Sequence, residues 1–305
     1  MMKEADNSVI DPFAAALEVS DVKGRSPWQD AWHRLLKNRA AVYSAFIMAA
    51  MFVMVVFGPM LISWEPDYTD WDHTSSPPSL SSGHWFGTDA VGRDILVRTL
   101  TGGRISLMVG LVATLVSLLI GVSYGATAGY FGGTADRIMM RIVDIVYALP
   151  FMFFVILLMV VLGRHIMLIF VAIGAINWLD MARIVRGQTL SLKNTEFVEA
   201  AKACGVNDWD IIKRHITPNL LGVVIVYVTL TIPQVILIES FLSFLGLGVQ
   251  EPMSSWGALI SDGAQDMESA PWTLIVPSVF LTVTLYCFNF IGDGLRDALD
   301  PKDHF

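Results

Sequence analysis

The side chains able to do chemistry are few and widely spaced in this chain of 305 residues. Asn177, Asp180 and Glu239 interrupt long apolar runs, where an ionised group facing lipid costs about 2.5 kcal/mol or more. Each is therefore expected to face protein or water. Glu239 either lines a path through the membrane or hydrogen-bonds a neighbouring helix near Ser243. For Asn177 and Asp180 a path-lining role is also open, but a local ion pair with Arg183 is favoured.

Motifs for self-contained catalysis are missing from the sequence. It contains neither a phosphate-cradling GxxxxGK[ST] loop nor an HExxH metal pair. The six histidines have no ligand spacing, so neither a catalytic nor a metal site is predicted. Cys204 and Cys287 lie in different environments and predict no disulfide. Any energy source must belong to another protein. The histidines are His33, His73, His84, His165, His215 and His304.

The composition is that of an integral membrane protein. Hydrophobic residues make up 54% of the chain, charged residues only 16%, and the mean hydropathy is +0.58. A helix needs about 20 apolar residues to cross a bilayer. Mainly apolar runs of about that length predict an all-α polytopic membrane protein with six transmembrane helices. The runs are residues 40–62, 105–129, 143–163, 165–182, 222–245 and 273–292.

Positive charge is distributed unevenly between the loops. With six spans, segments 1–39, 130–142, 183–221 and 293–305 share one side and hold 16 of the 20 Lys and Arg residues. The positive-inside rule therefore predicts that both termini are cytoplasmic. The acidic N-terminal segment does not resemble a cleaved signal peptide, and nothing supports nucleic-acid binding. Five tryptophans are expected to anchor the outer boundary: Trp64, Trp71, Trp85, Trp256 and Trp272.

Glycine and proline within the spans predict packing and bending. Gly121, Gly125 and Gly129 recur every fourth residue, which favours a flat stripe for close helix packing. Pro150, Pro233 and Pro277 interrupt spans and predict kinks, because each removes a backbone hydrogen bond.

The polar segment 183–221 is longer than a connection between two helices requires. Two short helices are expected in it. Gly205 would supply the positive φ that ends the first helix, and Asn207 would cap the second, which runs to His215. Pro218 would then discourage continuation into the fifth span.

The first of these two short helices presents a surface that another protein could grip. Ala200 and Ala201 would let a partner approach the backbone closely, and Glu199 offers a charge. The segment is therefore predicted to be a docking site for a soluble partner.

This arrangement is similar to the EAA loop of permease subunits of ATP-binding-cassette importers, whose coupling helix sits in a groove of the ATPase subunit. Glu199, Ala200, Ala201 and Gly205 match the conserved positions of that loop. The segments GTDAVGRD (87–94), ESFLSFLGLG (239–248) and DGLRDALDP (293–301) resemble the C-type permeases of the dipeptide/oligopeptide importers. Without the resemblance, residues 87–94 are explained by a turn in which Asp89 or Asp94 pairs with Arg93.

The resemblance implies a type I importer permease fold, with one peripheral helix and a five-helix core. The implied organisation is a cytoplasmic tail (1–39), a first transmembrane helix (40–62), a periplasmic loop (63–103), a core (104–295) and a C-terminal tail (296–305). The core includes the coupling loop 183–221 and a periplasmic loop 246–272.

The implied function is translocation of oligopeptides across a bacterial inner membrane. The implied partners are a homologous second permease, two ATPase subunits carrying ATP and Mg, and a periplasmic peptide-binding protein. No cofactor is expected on this chain, and it is not expected to be an enzyme. Dipeptide, nickel and murein-peptide importers remain alternatives within the family. A secondary transporter driven through Glu239 and Asp180, or a membrane scaffold, would be a different class.

Overall fold

The computed structural model describes residues 27–162 and 166–299, and these described residues are mostly helical and contain no strands. The predicted turn at 163–165 and the ends of both predicted tails lie outside the described residues. The helices are α1 (Pro27–Lys37), α2 (Arg39–Leu61), α3 (Ile95–Phe131), α4 (Gly133–Ala148), α5 (Phe151–Leu162), α6 (Ile166–Leu192), α7 (Glu196–Ala203), α8 (Asp208–Ile211), α9 (Thr217–Phe244), α10 (Trp256–Gln265) and α11 (Trp272–Leu299). A 3₁₀ turn covers Trp71–His73, and a π-helical turn covers Ile212–Ile216.

Four described helical segments are long and apolar enough to cross a membrane. They correspond to the predicted first, second, fifth and sixth spans. The described part of the fourth predicted span, residues 166–182, lies within α6. Helix α3 begins at Ile95, ahead of its predicted span, because the Asp94 side chain accepts a hydrogen bond from the Val97 amide at 2.9 Å.

The third predicted span, 143–163, is wrong as a single helix. Helix α4 ends at Ala148, Leu149 is extended with φ −72° and ψ 132°, and α5 begins at Phe151. Pro150 explains the break, since its ring disfavours a helical conformation in the residue before it. Helix α5 has 12 residues, about 18 Å of rise, which is less than the ~30 Å hydrocarbon core.

Helices α3 and α6 pack along most of their lengths, and the glycine stripe makes this possible. A Cβ atom at Gly121 would lie 2.5 Å from Met181 Cβ, and one at Gly129 would lie 2.7 Å from Thr189 Cβ. At Gly125 a Cβ would collide with the carbonyl oxygen of Ala182. The packing role predicted for the stripe is confirmed.

Helix α2 packs on α11 and α3, and an arginine fastens it to α3. Pro59 lies inside α2 and has no amide hydrogen, so the carbonyl of Val55 loses its helical partner. Arg104 of α3 donates to the Val55 carbonyl at 2.9 Å and to the Val56 carbonyl. The arginine therefore satisfies the backbone group that the proline frees.

The predicted stop at Pro218 is wrong, because the chain remains helical from α8 into α9. The π turn opens the backbone by one residue, and the Thr217 amide reaches the Ile212 carbonyl. Thr217 Oγ1 donates to the same carbonyl at 2.8 Å. Pro218 lies in the first turn of α9, directly after the π turn that lets the helix continue past the missing amide. Residues 208–244 form one continuous rod, here called the α8–α9 rod.

Candidate coupling surface and the groups around it

The elbow between α7 and α8 has the predicted geometry. Gly205 has φ +74°, and its amide donates to the Lys202 carbonyl at 2.9 Å. A glycine adopts this conformation without the steric penalty of a side chain. Asn207 Oδ1 accepts from the Trp209 amide at 3.0 Å and caps α8. The first short helix, its turn and the Asn207 cap are therefore confirmed, whereas the predicted second short helix is the first part of the α8–α9 rod.

Three of the four residues that match the EAA motif face outward. Glu199, Ala200 and Gly205 are exposed, and no atom lies within 4 Å of a Cβ built at Gly205. Ala201 differs from the expectation, because it is buried in a cluster that includes Ile211 and Ile216. Ala201 thus packs the elbow onto the rest of the protein, while the other three remain available to a partner.

Large apolar side chains extend this exposed surface. Phe197 is 42% exposed and Trp209 is 52% exposed, and together with Glu199, Ala200 and Gly205 they are here called the coupling surface. Beneath it, Tyr130 at the end of α3 donates to Asp208 Oδ1 at 2.6 Å. Phe131 packs edge-on against Trp209. The surface is therefore fixed to α3 as well as to α9.

A bidentate ion pair supports the same end of the molecule. Arg186 of α6 donates to both carboxylate oxygens of Asp136 in α4, at 2.5 and 2.6 Å. These hydrogen bonds hold the pKa of Asp136 below its ordinary value. The pair fastens α4 to α6 beside the coupling segment.

At the opposite end, the GTDAVGRD segment forms a turn held by ion pairs. Asp89 accepts from Arg93 Nε at 2.7 Å, which is one of the two pairings that the sequence left open, and from the buried Arg98 at 2.6 Å. Arg93 also donates to Glu251 at 2.8 Å and so connects the two long loops of this end. Burial raises the pKa of Asp89, but Arg93 and Arg98 together hold it below its ordinary value. The Arg93 hydrogen bond likewise lowers the pKa of Glu251.

Glu239 lies between helices and does not reach the surface of this chain. Its exposure is 0%, and it accepts hydrogen bonds from Ser243 at 2.7 Å and Ser106 at 3.3 Å. Ser106 in turn accepts from the amide of Trp256. The geometry is that of the hydrogen-bonding alternative, and a path-lining role stays a prediction.

The predicted ion pair between Asp180 and Arg183 is wrong. Arg183 instead donates to Asp144 at 2.9 Å and lies 4.3 Å over the ring of Tyr147. Arg183 lies three residues after Asp180 on α6, but its side chain turns toward α4, where a carboxylate and an aromatic face are both available.

Asp180 and Asn177 line a cavity of about 720 Å³ beside the break at Pro150. Gln234 and Ile238 of the α8–α9 rod close its other side. The wall is mainly apolar, with a carboxylate and two amides placed on it. Such a cavity is typical of a site that holds a solute.

One of the five tryptophans expected at the outer boundary is buried in the core. Trp256 is 0% exposed and donates through Nε1 to the Thr99 carbonyl at 2.9 Å, so it does not anchor the boundary. Sequence position near a span end could not show that α10 folds back into the core.

His73 and His84 have no ligand spacing in the sequence, but the fold brings them together with Asp70. The side-chain ligand atoms of these three residues lie within 4.8 Å of one another.

The family is established by comparison with known proteins. Residues 117–302 match the model of the inner membrane component of binding-protein-dependent transport systems. Residues 26–78 match the N-terminal transmembrane domain of oligopeptide transport permease C. The chain therefore belongs to the inner membrane permeases of binding-protein-dependent, ATP-binding-cassette transport systems.

Its relatives narrow the resemblance. The chain is 58% identical over 303 residues to the oligopeptide transport system permease protein OppC of Escherichia coli, covering 99% of both chains. It is 57% identical to OppC of Haemophilus influenzae, over 99% of this chain and 96% of the relative. A dipeptide transport system permease protein, DppC of Bacillus subtilis, is 50% identical over 90% of this chain and 85% of its own length.

Proposed function

We propose that this chain is one permease half of an ATP-driven importer that moves oligopeptides across a bacterial inner membrane, with both termini in the cytoplasm. One observation carries the proposal: the exposed coupling surface includes Trp209 at the start of the α8–α9 rod, and the same rod lines the cavity beside Pro150. A protein bound at the elbow can therefore act on a wall of that cavity. The names of the full-length relatives support oligopeptides as the cargo.

The family to which the chain belongs suggests its partners. Two ATPase subunits, which hold ATP and Mg²⁺, would bind the coupling surfaces of this chain and of a homologous second permease. A periplasmic binding protein would deliver the peptide. We assign no cofactor and no catalytic residue to this chain, and the ATPase cycle would bias two arrangements of its helices through contacts that differ between states.

We place Asn177 and Asp180 on the translocation path and Glu239 behind it. The cavity volume of about 720 Å³ is in the range of ligand-binding pockets, and the cavity offers hydrogen-bonding groups on an apolar wall. Asp180 would attract a peptide's amino terminus. Glu239, sealed by Ser106 and Ser243, would keep α3 and α9 in register.

Cross-linking tests the coupling surface. In a Cys204→Ser background, which removes the free exposed thiol, Ala200→Cys is treated with a short thiol cross-linker in intact cells. We expect capture of an ATPase subunit, identified by its nucleotide-binding peptides. The control is Glu268→Cys, an exposed position in the loop after α10, which should capture none. No ATPase adduct from Ala200→Cys would overturn the proposed coupling.

Reconstitution separates the classes of transporter. Labelled tripeptide uptake is measured in proteoliposomes that contain this chain alone or the assembled complex, with and without ATP. We expect uptake only by the complex with ATP. Uptake by the purified chain under an ion gradient would instead support a secondary transporter.

A further inference from the structure

Three potential metal ligands from two loop segments meet before α3. Asp70 caps the 3₁₀ turn Trp71–His73, and its Oδ2 atom lies 2.9 Å from His73 Nδ1 and 3.5 Å from His84 Nε2. Its other oxygen, Oδ1, accepts from the Asp72 amide at 3.0 Å. The carboxylate is thus oriented by the backbone, with Oδ2 turned toward both imidazoles. These three residues are here called the Asp70 cluster.

His84 is oriented by a hydrogen bond and by ring stacking. It is 1% exposed, its ring stacks on Trp64 at 4.4 Å, and Nδ1 lies 2.9 Å from Asp94 Oδ2. With the proton assigned to Nδ1 by that hydrogen bond, Nε2 carries the lone pair. A carboxylate that orients a histidine in this way is the usual outer partner of a metal-binding imidazole.

His84 Nε2 has no hydrogen-bond partner although it is buried. Buried nitrogen atoms are normally satisfied, so an unpaired one that faces two other ligand atoms needs an explanation. The nearest ligand atom is Asp70 Oδ2, at 3.5 Å, which is longer than the usual charge-assisted hydrogen bond of about 2.7–2.9 Å.

The spacing suits a tetrahedral metal ion. Ligand atoms about 2.0–2.1 Å from zinc lie roughly 3.3 Å from one another in a tetrahedral site. Two of the three separations, both measured from Asp70 Oδ2, are 2.9 and 3.5 Å, and the shorter one is the Asp70–His73 hydrogen bond that a bound ion would replace. His73 is partly open to solvent, with 42% of its side chain exposed, so water can reach a fourth position.

We propose that Asp70, His73 and His84 bind one divalent transition-metal ion, with Zn²⁺ as the best match. Two imidazoles and one carboxylate suit zinc, nickel and copper, whereas magnesium and calcium take oxygen ligands. The ion would join the 3₁₀ turn to the segment that begins α3. The two are already in contact, since the Asp70 amide donates to the Gly92 carbonyl at 3.1 Å.

Calorimetry on the full-length chain tests the proposal. The chain is purified through a tag without histidine, stripped with chelator, placed in lipid nanodiscs and titrated with ZnCl₂. We expect one site per chain, and at least a tenfold loss of affinity in His73→Gln and in Asp70→Asn. Both changes lie on a partly exposed turn and leave the buried His84 in place. MgCl₂ should give no binding heat.

The matched control is His33→Gln, an exposed histidine on α1, which should bind Zn²⁺ as tightly as the unaltered chain. Co²⁺ provides a second readout, because a site with this geometry gives visible absorption that His73→Gln should abolish. Absence of a stoichiometric Zn²⁺ site would overturn the proposal. So would a Zn²⁺ affinity that His73→Gln and Asp70→Asn leave unchanged.

Discussion

At the residue scale, the buried charge of Arg98 requires a carboxylate partner. It is 4% exposed, and its closest carboxylate is Asp89, at 2.6 Å. Glu251 is farther away, at 3.8 Å, and its side chain is 67% exposed. A buried charge that loses its partner is costly, whereas an exposed pair contributes little. The two carboxylates that surround the same arginine should therefore have very different effects on stability.

We expect Asp89→Asn to lower the free energy of unfolding by about 3–5 kcal/mol, because it leaves the buried Arg98 without its closest carboxylate. Glu251→Gln should cost less than about 1 kcal/mol. Both changes remove one negative charge and preserve side-chain shape. Thermal unfolding of the purified proteins in detergent measures the difference, and equal melting temperatures for the two variants would contradict the ranking.

The effect of Asp89→Asn should depend on pH. The folded pKa of Asp89 is lowered, so its ionised form contributes stability that is complete above the ordinary carboxyl value near 4. That contribution disappears as the pH falls through the lowered pKa. The gap in melting temperature between Asp89→Asn and the unaltered chain should therefore narrow on acidification below about pH 4.

Residue-level prediction from the sequence was accurate where partners are close along the chain. The Asp89–Arg93 pair and the Asn207 cap were both anticipated, because each is fixed by local geometry. The Asp180–Arg183 pair was not formed, since Arg183 found Asp144 on a different helix. His73 and His84 were overlooked for the same reason: the loop fold, rather than their spacing, brings them to Asp70.

At the element scale, the glycine stripe sets the distance between α3 and α6. Helices approach this closely only where no Cβ separates their backbones. The packing could be anticipated from spacing alone, because every fourth residue lies on one helix face. The identity of the partner helix could not be anticipated, since the sequence does not show which surface will cover the stripe.

Gly125→Ala should prevent α3 and α6 from closing, because the added methyl group would meet the Ala182 carbonyl and Val185. We expect a loss of folded protein of at least several-fold, measured as monodisperse protein extracted from membranes. Gly222→Ala is the matched control on α9, where no atom lies within 4 Å of the added Cβ. It should be neutral or slightly stabilising. A normal yield of Gly125→Ala would refute the close-packing argument.

The elbow between α7 and α8 constrains the backbone conformation of Gly205 rather than the space around it. At Gly205 the positive φ is required, and its amide donates to Lys202. Gly205→Pro fixes φ near −65° and removes that donor, so the turn should reorganise. We expect normal amounts in the membrane and continued ATP hydrolysis by the complex, but at least a tenfold loss of peptide uptake.

Gly205→Asn is the matched control, since asparagine tolerates the left-handed conformation and keeps the amide hydrogen. Its uptake should stay within about twofold of the unaltered chain. If Gly205→Pro transports peptide normally, the elbow does not couple ATP hydrolysis to movement.

Prediction of the spans was limited because hydropathy reports only the local composition of the chain, whereas the effect of a proline depends on the structure around it. Apolar length located most of the membrane helices, but Pro150 divided one predicted span, and Pro218 did not separate the coupling segment from the fifth span. The two prolines differ in what the surrounding chain offers. Leu149 turns extended before Pro150, whereas a π turn and the Thr217 hydroxyl accommodate Pro218. Neither response can be read from hydropathy.

At the scale of the whole molecule, the α8–α9 rod joins three features. Its first turn carries Trp209 on the coupling surface, its middle carries Gln234 on the cavity wall, and Glu239 near its end meets Ser106 of α3. A stiff helix transmits displacement along its axis, while a flexible joint absorbs it. The continuity through the π turn is therefore the structural condition for action at a distance.

A flexible joint placed in this rod should separate the two ends functionally. Lys213 and Arg214 are both exposed and lie in the π turn, so they can be replaced without loss of core packing. Each glycine in a helix costs about 1 kcal/mol relative to alanine and loosens the backbone. We expect the double variant Lys213→Gly/Arg214→Gly to retain membrane level and ATP hydrolysis by the complex, but to lose peptide uptake at least tenfold.

Lys213→Ala/Arg214→Ala removes the same two charges, including the exposed Arg214–Asp210 pair, and keeps the helix. Its uptake should therefore stay close to normal, so that the contrast between the two variants isolates stiffness from charge. Uptake and ATP hydrolysis are measured on the same membranes. If both double variants transport equally well, force reaches the cavity by another route, and the contact between Tyr130 and Asp208 would make α3 the element to test next.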